Sequence, residues 1–279
     1  MMLLFTDLLA KAGFSPADVR LLRHQTKGPN GRTPYLLWRD QKPAFEDYQC
    51  VQSTHNRTSL AAPIWASFVA PPTGGTLFAG LYSAKRIGHA GEHWIDPLHG
   101  VPGSTLTSHA LDRYETEPIP DLADYAGRLW IDWGSGTRSW VQRADRQNKT
   151  ICELTRAFRE DAFPGYTHFL ARISELQGLP ATWVTALSAA RGVYLLTSSR
   201  TKEQYVGSAT GANGFFGRWL NYAQDGHGGN LGLRSSEPSD YQVSILEVSG
   251  SAATQDDIVA IEQLWKRKLQ SRKMGLNRN

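Results

Sequence analysis

The chain has 279 residues, 41% hydrophobic and 20% charged, with a formal net charge of +4. It is long enough for two domains with real cores, and its composition is that of a soluble globular protein. It has no apolar run of about eighteen residues, which excludes a transmembrane helix, and its two cysteines exclude a disulfide framework.

The mild basicity permits a nucleic-acid partner and equally fits plain solubility. Lys266, Arg267, Lys268, Arg272, Lys273 and Arg278 crowd one stretch near the C-terminus. Cys50 and Cys152 lack metal-ligand spacing and are expected as buried thiols in a reducing, cytoplasmic setting. The start, Met1-Met2-Leu3-Leu4-Phe5, lacks the basic flank and cleavage site of a signal peptide.

In chain order, residues 3–12 show helical spacing ended by Gly13. Ser15 as a cap and Pro16 at the first helical position predict a second helix. Residues 35–38 read as a short strand. Residues 64–69 and 76–82, around Pro71-Pro72-Thr73-Gly74-Gly75, predict paired strands. Residues 88–127 have weak periodicity and are expected as a long loop. Within it His89, His93 and His99 lack partners at metal-site spacing. Residues 129–134 and 137–142 flank Gly134-Ser135-Gly136 and predict a hairpin.

From about residue 153 the pattern turns helical through residue 176, breaks at Gly178-Leu179-Pro180, and resumes over 181–189. Strands are predicted at 193–197, 204–207 and 241–248, and helices at 217–223 and 256–269. The expected organisation is an N-terminal domain over 1–155, a helical linker over 156–190 and a third segment over 191–279.

That third segment carries a constellation. Gly192-Val193-Tyr194 is followed by Tyr205-Val206-Gly207, then Arg218, Tyr222, the turn Gly226-His227-Gly228-Gly229-Asn230, Glu262 and Asn277. Taken singly, the tyrosines suit strand aromatics, Arg218 a surface arginine and Glu262 a solvated carboxylate. In this order and spacing they resemble a GIY-YIG nuclease domain. Valine stands where the family has isoleucine in both half-motifs, a β-branched exchange that a strand tolerates.

Phosphodiester hydrolysis needs an activated water, charge stabilisation on the phosphoryl group and help for the leaving oxygen. Glu262 can hold a divalent cation, and Arg218 can grip a phosphate with paired N–H donors. Tyrosine is a poor base unless a cation or metal lowers its pKa. The resemblance implies Tyr194 as that base and Tyr205 as a group positioning water or phosphate. It places Tyr222 at the family's histidine-or-tyrosine position and Asn277 as its late asparagine. It also implies Mg²⁺ (or Mn²⁺) at Glu262. Lys202, His227, Lys266 and Lys268 are candidate nucleic-acid contacts; His227 equally suits a tight turn, and Lys202 more simply solvates one.

Residues 1–155 hold Trp38, Trp65, Trp94, Trp130, Trp133 and Trp140. Most suit a β-rich core. The sharper alternative is a pocket stacking a flipped or modified base, with Trp65, Trp130, Trp133 and Trp140 as candidates. Residues 76–82 faintly resemble a strand of PUA-like modified-base readers.

The expected fold class is α+β: a small three-stranded mixed sheet flanked by helices, behind a separate β-rich α+β domain. The expected function is a metal-dependent endonuclease of restriction type acting on double-stranded DNA, with the first domain reading modification. No membrane partner is expected, and the sequence allows a homodimer. A repair or homing nuclease, or a nucleic-acid-binding protein with an inactive site, are the other readings.

Overall fold

A computed structural model describes residues 3–72, 74–136, 139–225 and 240–277. The chain divides into two units, Met1–Arg159 and Glu160–Asn279.

The first unit opens with helix α1 (Phe5–Lys11). Ser15-Pro16 then starts only a three-residue 3-10 turn, without a side-chain cap bond, and strand β1 (Val19–His24) follows instead of the predicted second helix. Val19 and Leu21 are buried on one face of β1 and Leu22 and His24 on the other, which suits an inner strand of a covered sheet. The predicted strand at 35–38 is instead helix α2 (Pro34–Asp40), because Thr33 caps it by accepting from the Leu36 N–H at 3.3 Å and Pro34 fits the first turn.

Helix α3 (Lys42–Cys50) and strand β2 (Val51–Ser53) lead, through the short helix α4 (Arg57–Leu60), to β3 (Ile64–Val69) and β4 (Leu77–His89). These two strands pair antiparallel, as the flanking apolar runs predict. The stretch expected as one long loop contains β5 (Leu111–Ile119), which pairs with the far half of β4. β6 (Leu129–Ile131), β7 (Val141–Arg143) and β8 (Ile151–Leu154) complete one sheet.

The path is β2-β5-β4-β3-β1-β7, with β6 joined to β4 and β8. Only the β1–β3 pairing is parallel among the described strands. The predicted hairpin does not form: β6 pairs with β4 and β8, while β7 pairs with β1. Between them Trp133 is drawn into the core against Phe68, at 6.0 Å between ring centres. Cys50 is buried, as expected, whereas Cys152 is exposed on the outer strand β8.

Of the predicted helix over 153–176 only a 3-10 turn over Ile173–Gly178 forms, in the second unit. Pro164 and Gly165 interrupt it, and residues 170–172 give their backbone to a sheet. That sheet has β9 (Leu170–Arg172), β10 (Gly192–Thr197), β11 (Gln204–Ala209) and β12 (Gln242–Val248), in the order β11-β10-β12-β9. It is four-stranded and antiparallel throughout, against the three-stranded mixed sheet expected.

The segment expected as a linker is part of this unit. Phe169, Ile173, Leu176, Trp183 and Leu187 join one core with Tyr194, Phe215 and Trp219. Helices α5 (Ala181–Ala189), α6 (Gly214–Asp225), α7 (Gln255–Lys268) and α8 (Ser271–Met274) flank the sheet. α6 packs with the tyrosine face. α7 packs on the opposite face through Ile258 against Val193 and Val206. No helix among the described residues is long and apolar enough to cross a membrane.

Candidate active site

Alternation along β10 and β11 puts Tyr194, Leu196, Tyr205 and Gly207 on one face and Val193, Val206 and Ser208 on the other. Tyr194 lies directly opposite Gly207. A Cβ at 207 would stand 2.5 Å from the Tyr194 hydroxyl and 2.8 Å from the Tyr205 ring, so glycine leaves the space that both tyrosines fill. Gly192 sits at φ +152°, where an added Cβ would strike the Glu247 carbonyl on β12.

From α6, Arg218 and Tyr222 stand one turn apart. Arg218 Nε donates to the Tyr194 hydroxyl at 3.2 Å, and the Tyr194 and Tyr222 hydroxyls are 2.8 Å apart. The Arg218 guanidinium lies 5.2 Å from the centre of the Tyr222 ring, and the Tyr205 and Tyr222 ring centres are 6.4 Å apart. Four predicted residues thus form one cluster.

All three tyrosines are buried. Burial is the main cause that raises each hydroxyl above the ordinary tyrosine value. At Tyr194 the charge and N–H of Arg218 and a hydrogen bond from Tyr222 work against it.

Glu262 projects from α7 to the other face of β11. Ser208 Oγ donates to its Oε2 in a short bond, and Lys266 Nζ meets its Oε1 at 2.7 Å. Because β11 is the sheet edge, the two faces meet at one groove of about 540 Å³. Ser208, Asn213, Arg218, Asn221 and Gln255 line it, with Glu262 directly behind Ser208.

Glu262 is the acid available for a cation here; among the described residues no group of three or more His, Cys, Asp or Glu converges. A carboxylate whose oxygens each keep a spare lone pair fits Mg²⁺, which commonly binds through one or two carboxylates, waters and substrate phosphate.

Asn277 is brought to β11 but not to the cluster. Its Oδ1 accepts from the Val206 N–H and its Nδ2 donates to the Val206 carbonyl, both at 2.9 Å. Lys266, expected on the surface as a nucleic-acid contact, is 1% exposed and turned inward to Glu262. Lys268 is exposed over the Trp265 ring. Lys202 adopts φ +66° and donates to the Ser199 carbonyl of its own turn. His227 with its glycine turn, and Arg278, lie outside the described residues.

In the first unit Trp65 and Trp133 are core residues rather than stacking surfaces. Trp65 is fully buried, its Nε1 donating to the Leu60 carbonyl and its ring 4.7 Å from Tyr114. Trp130 and Trp140 are half-buried. Ser208 carried no sequence signal, since a lone serine in a strand has none.

No family model matches the chain, and no curated protein matches it. Among solved structures, a point mutant of the catalytic domain of intron endonuclease I-TevI aligns at 25% identity with a TM-score of 0.27. The alignment covers 32% of this chain and 92% of that one.

Proposed function

We propose that the chain is a metal-dependent DNA endonuclease of restriction type whose second unit cleaves and whose first unit selects the site. The observation that carries this reading is Arg218, which lines the β11-edge groove while its Nε reaches the buried Tyr194–Tyr222 pair, with Glu262 bonded to Ser208 of the same groove.

In this reading Arg218 holds the scissile phosphate with its outward N–H groups and stabilises the charge that builds there. The resemblance implies Tyr194 as the base, and to take a proton from water its hydroxyl must first give up its own. Its raised pKa makes that transfer depend on the Arg218 cation and the Tyr222 hydroxyl. Tyr205 supports the Tyr222 ring. Glu262 would hold Mg²⁺ or Mn²⁺, which supplies charge neutralisation at the phosphate and leaving oxygen.

The test is digestion of matched unmodified, methylated and hydroxymethylated duplexes with Mg²⁺, with Mn²⁺ and with chelator. Cleavage in the metal arms alone is expected. No cleavage of any duplex in either metal refutes the reading. One observation favours the second reading, a binding protein with an inactive site: Lys266 already neutralises Glu262 in a buried pair. That reading predicts duplex binding without cleavage under every condition.

A further inference from the structure

We propose that the first unit holds a pocket for a nucleobase extruded from duplex DNA, between β1, α3 and Trp140. The inference rests on the reading of the chain as a DNA enzyme and names how its site is chosen.

The pocket has a volume of about 460 Å³, within the range of ligand sites. Its walls include Arg23, His24, Thr26, Tyr48, Gln52 and Trp140. Three rings meet there. The His24 ring centre lies 5.7 Å from that of Tyr48 at 68°, and 6.0 Å from that of Trp140 at 47°.

His24 is 3% exposed, and its Nε2 has no hydrogen-bond partner; the Arg23 side chain leaves on the opposite face of β1, over the Trp133 ring. A buried polar atom left unpaired is costly, and a pocket wall carrying the His24 Nε2 is short of a ligand's hydrogen-bonding edge. Burial keeps the His24 imidazole neutral, so one ring nitrogen accepts and the other donates. No carboxylate lines the pocket. Flat aromatic faces with such edge groups suit a planar heterocycle rather than a cation.

A base still attached to DNA is favoured over a free nucleotide by what adjoins the pocket. Ser139 and Val141, on either side of Trp140, line a second depression of about 640 Å³. Arg143, Arg146 and Lys149 line it too, alongside Asp132. Arg143 is paired with Asp145 and Lys149 donates to the Trp133 carbonyl, which leaves the exposed Arg146 as the outward cation for a phosphate.

The test uses the whole chain in chelator, so that binding is read without cleavage. Labelled duplexes are either fully paired or carry one base opposite an abasic position, where extrusion costs least. The wild type is expected to bind the second kind about tenfold tighter, the scale of one stacked base. Trp140→Ala and His24→Phe should bring the two duplexes to parity while melting near wild type, and Trp140→Phe should restore the preference. A preference that survives in folded Trp140→Ala and His24→Phe overturns the pocket. Capture of free deoxynucleotides without any duplex preference overturns the DNA source. A wild type that binds no duplex overturns the nuclease reading, and the pocket with it.

Discussion

Arg218 touches a tyrosine hydroxyl at one end and the groove at the other. A lysine has one point of charge and cannot serve both. Arg218→Lys is therefore expected to lose on the order of a hundredfold in single-turnover cleavage, and a loss under about threefold would leave it a packing residue. Glu262→Ala should abolish cleavage and spare DNA binding; near wild-type cutting would remove Glu262 from the chemistry. His24 gives a prediction on stability. Burial lowers its pKa to about 3 from the ordinary value of about 6.5. Between those values the unfolded chain binds a proton that the folded one does not, so stability falls as pH drops through that window. Going from about pH 7 to about pH 5, His24→Phe should lose about 2 kcal/mol less than wild type. Equal acid sensitivity in melting curves would show that another group governs the fall.

At the scale of elements, the strand β11 explains what the sequence could and could not reveal. Gly192, Tyr194, Tyr205, Gly207, Arg218 and Tyr222 were readable because spacing along two paired strands and one helix turn fixes who meets whom. Glu262 was readable as a helix carboxylate, but not its partners. Ser208 reaches it through strand alternation, and Lys266 through an inward-facing turn of α7 that composition marks only as basic. The same limit misread α2, whose cap at Thr33 outweighs its aromatic residues, and β9, whose three residues exist as a strand only because β12 pairs with them. Asn277, expected among the catalytic residues as the family's late asparagine, closes the edge of β11. Asn277→Ala leaves a buried N–H and carbonyl of Val206 unpaired and should cost about 3 kcal/mol. Melting temperature should fall, with cleavage in the cold retained; an unchanged melt with lost cleavage would restore the catalytic role.

At the scale of the whole molecule, the second unit begins at Glu160. Residues 163–190 supply Phe169, Ile173, Leu176, Trp183 and Leu187 to its core, and β9 to its sheet. A fragment of residues 160–279 is expected to fold and to cut weakly without site preference. A fragment of residues 185–279 should fail to fold, since it lacks that layer. Circular dichroism and melting of the two fragments decide this. A well-folded 185–279 fragment would show those residues to be dispensable, and full site selectivity in the 160–279 fragment would remove the selecting role from the first unit.

The bracket at Asn277 has a bearing on how the molecule comes into being. Synthesis runs from the first unit to the second, and domains fold in that order as they emerge. The strands that carry the motif tyrosines are made about seventy residues before position 277. Until then one rim of β11 is an open template for any passing extended segment. The nascent chain thus owns a finished first unit while the sheet of its second unit is still sticky along one side. Growth conditions that slow completion should show up first as aggregation seeded at β11, and a short extended peptide that mimics the amide of residue 277 should suppress it.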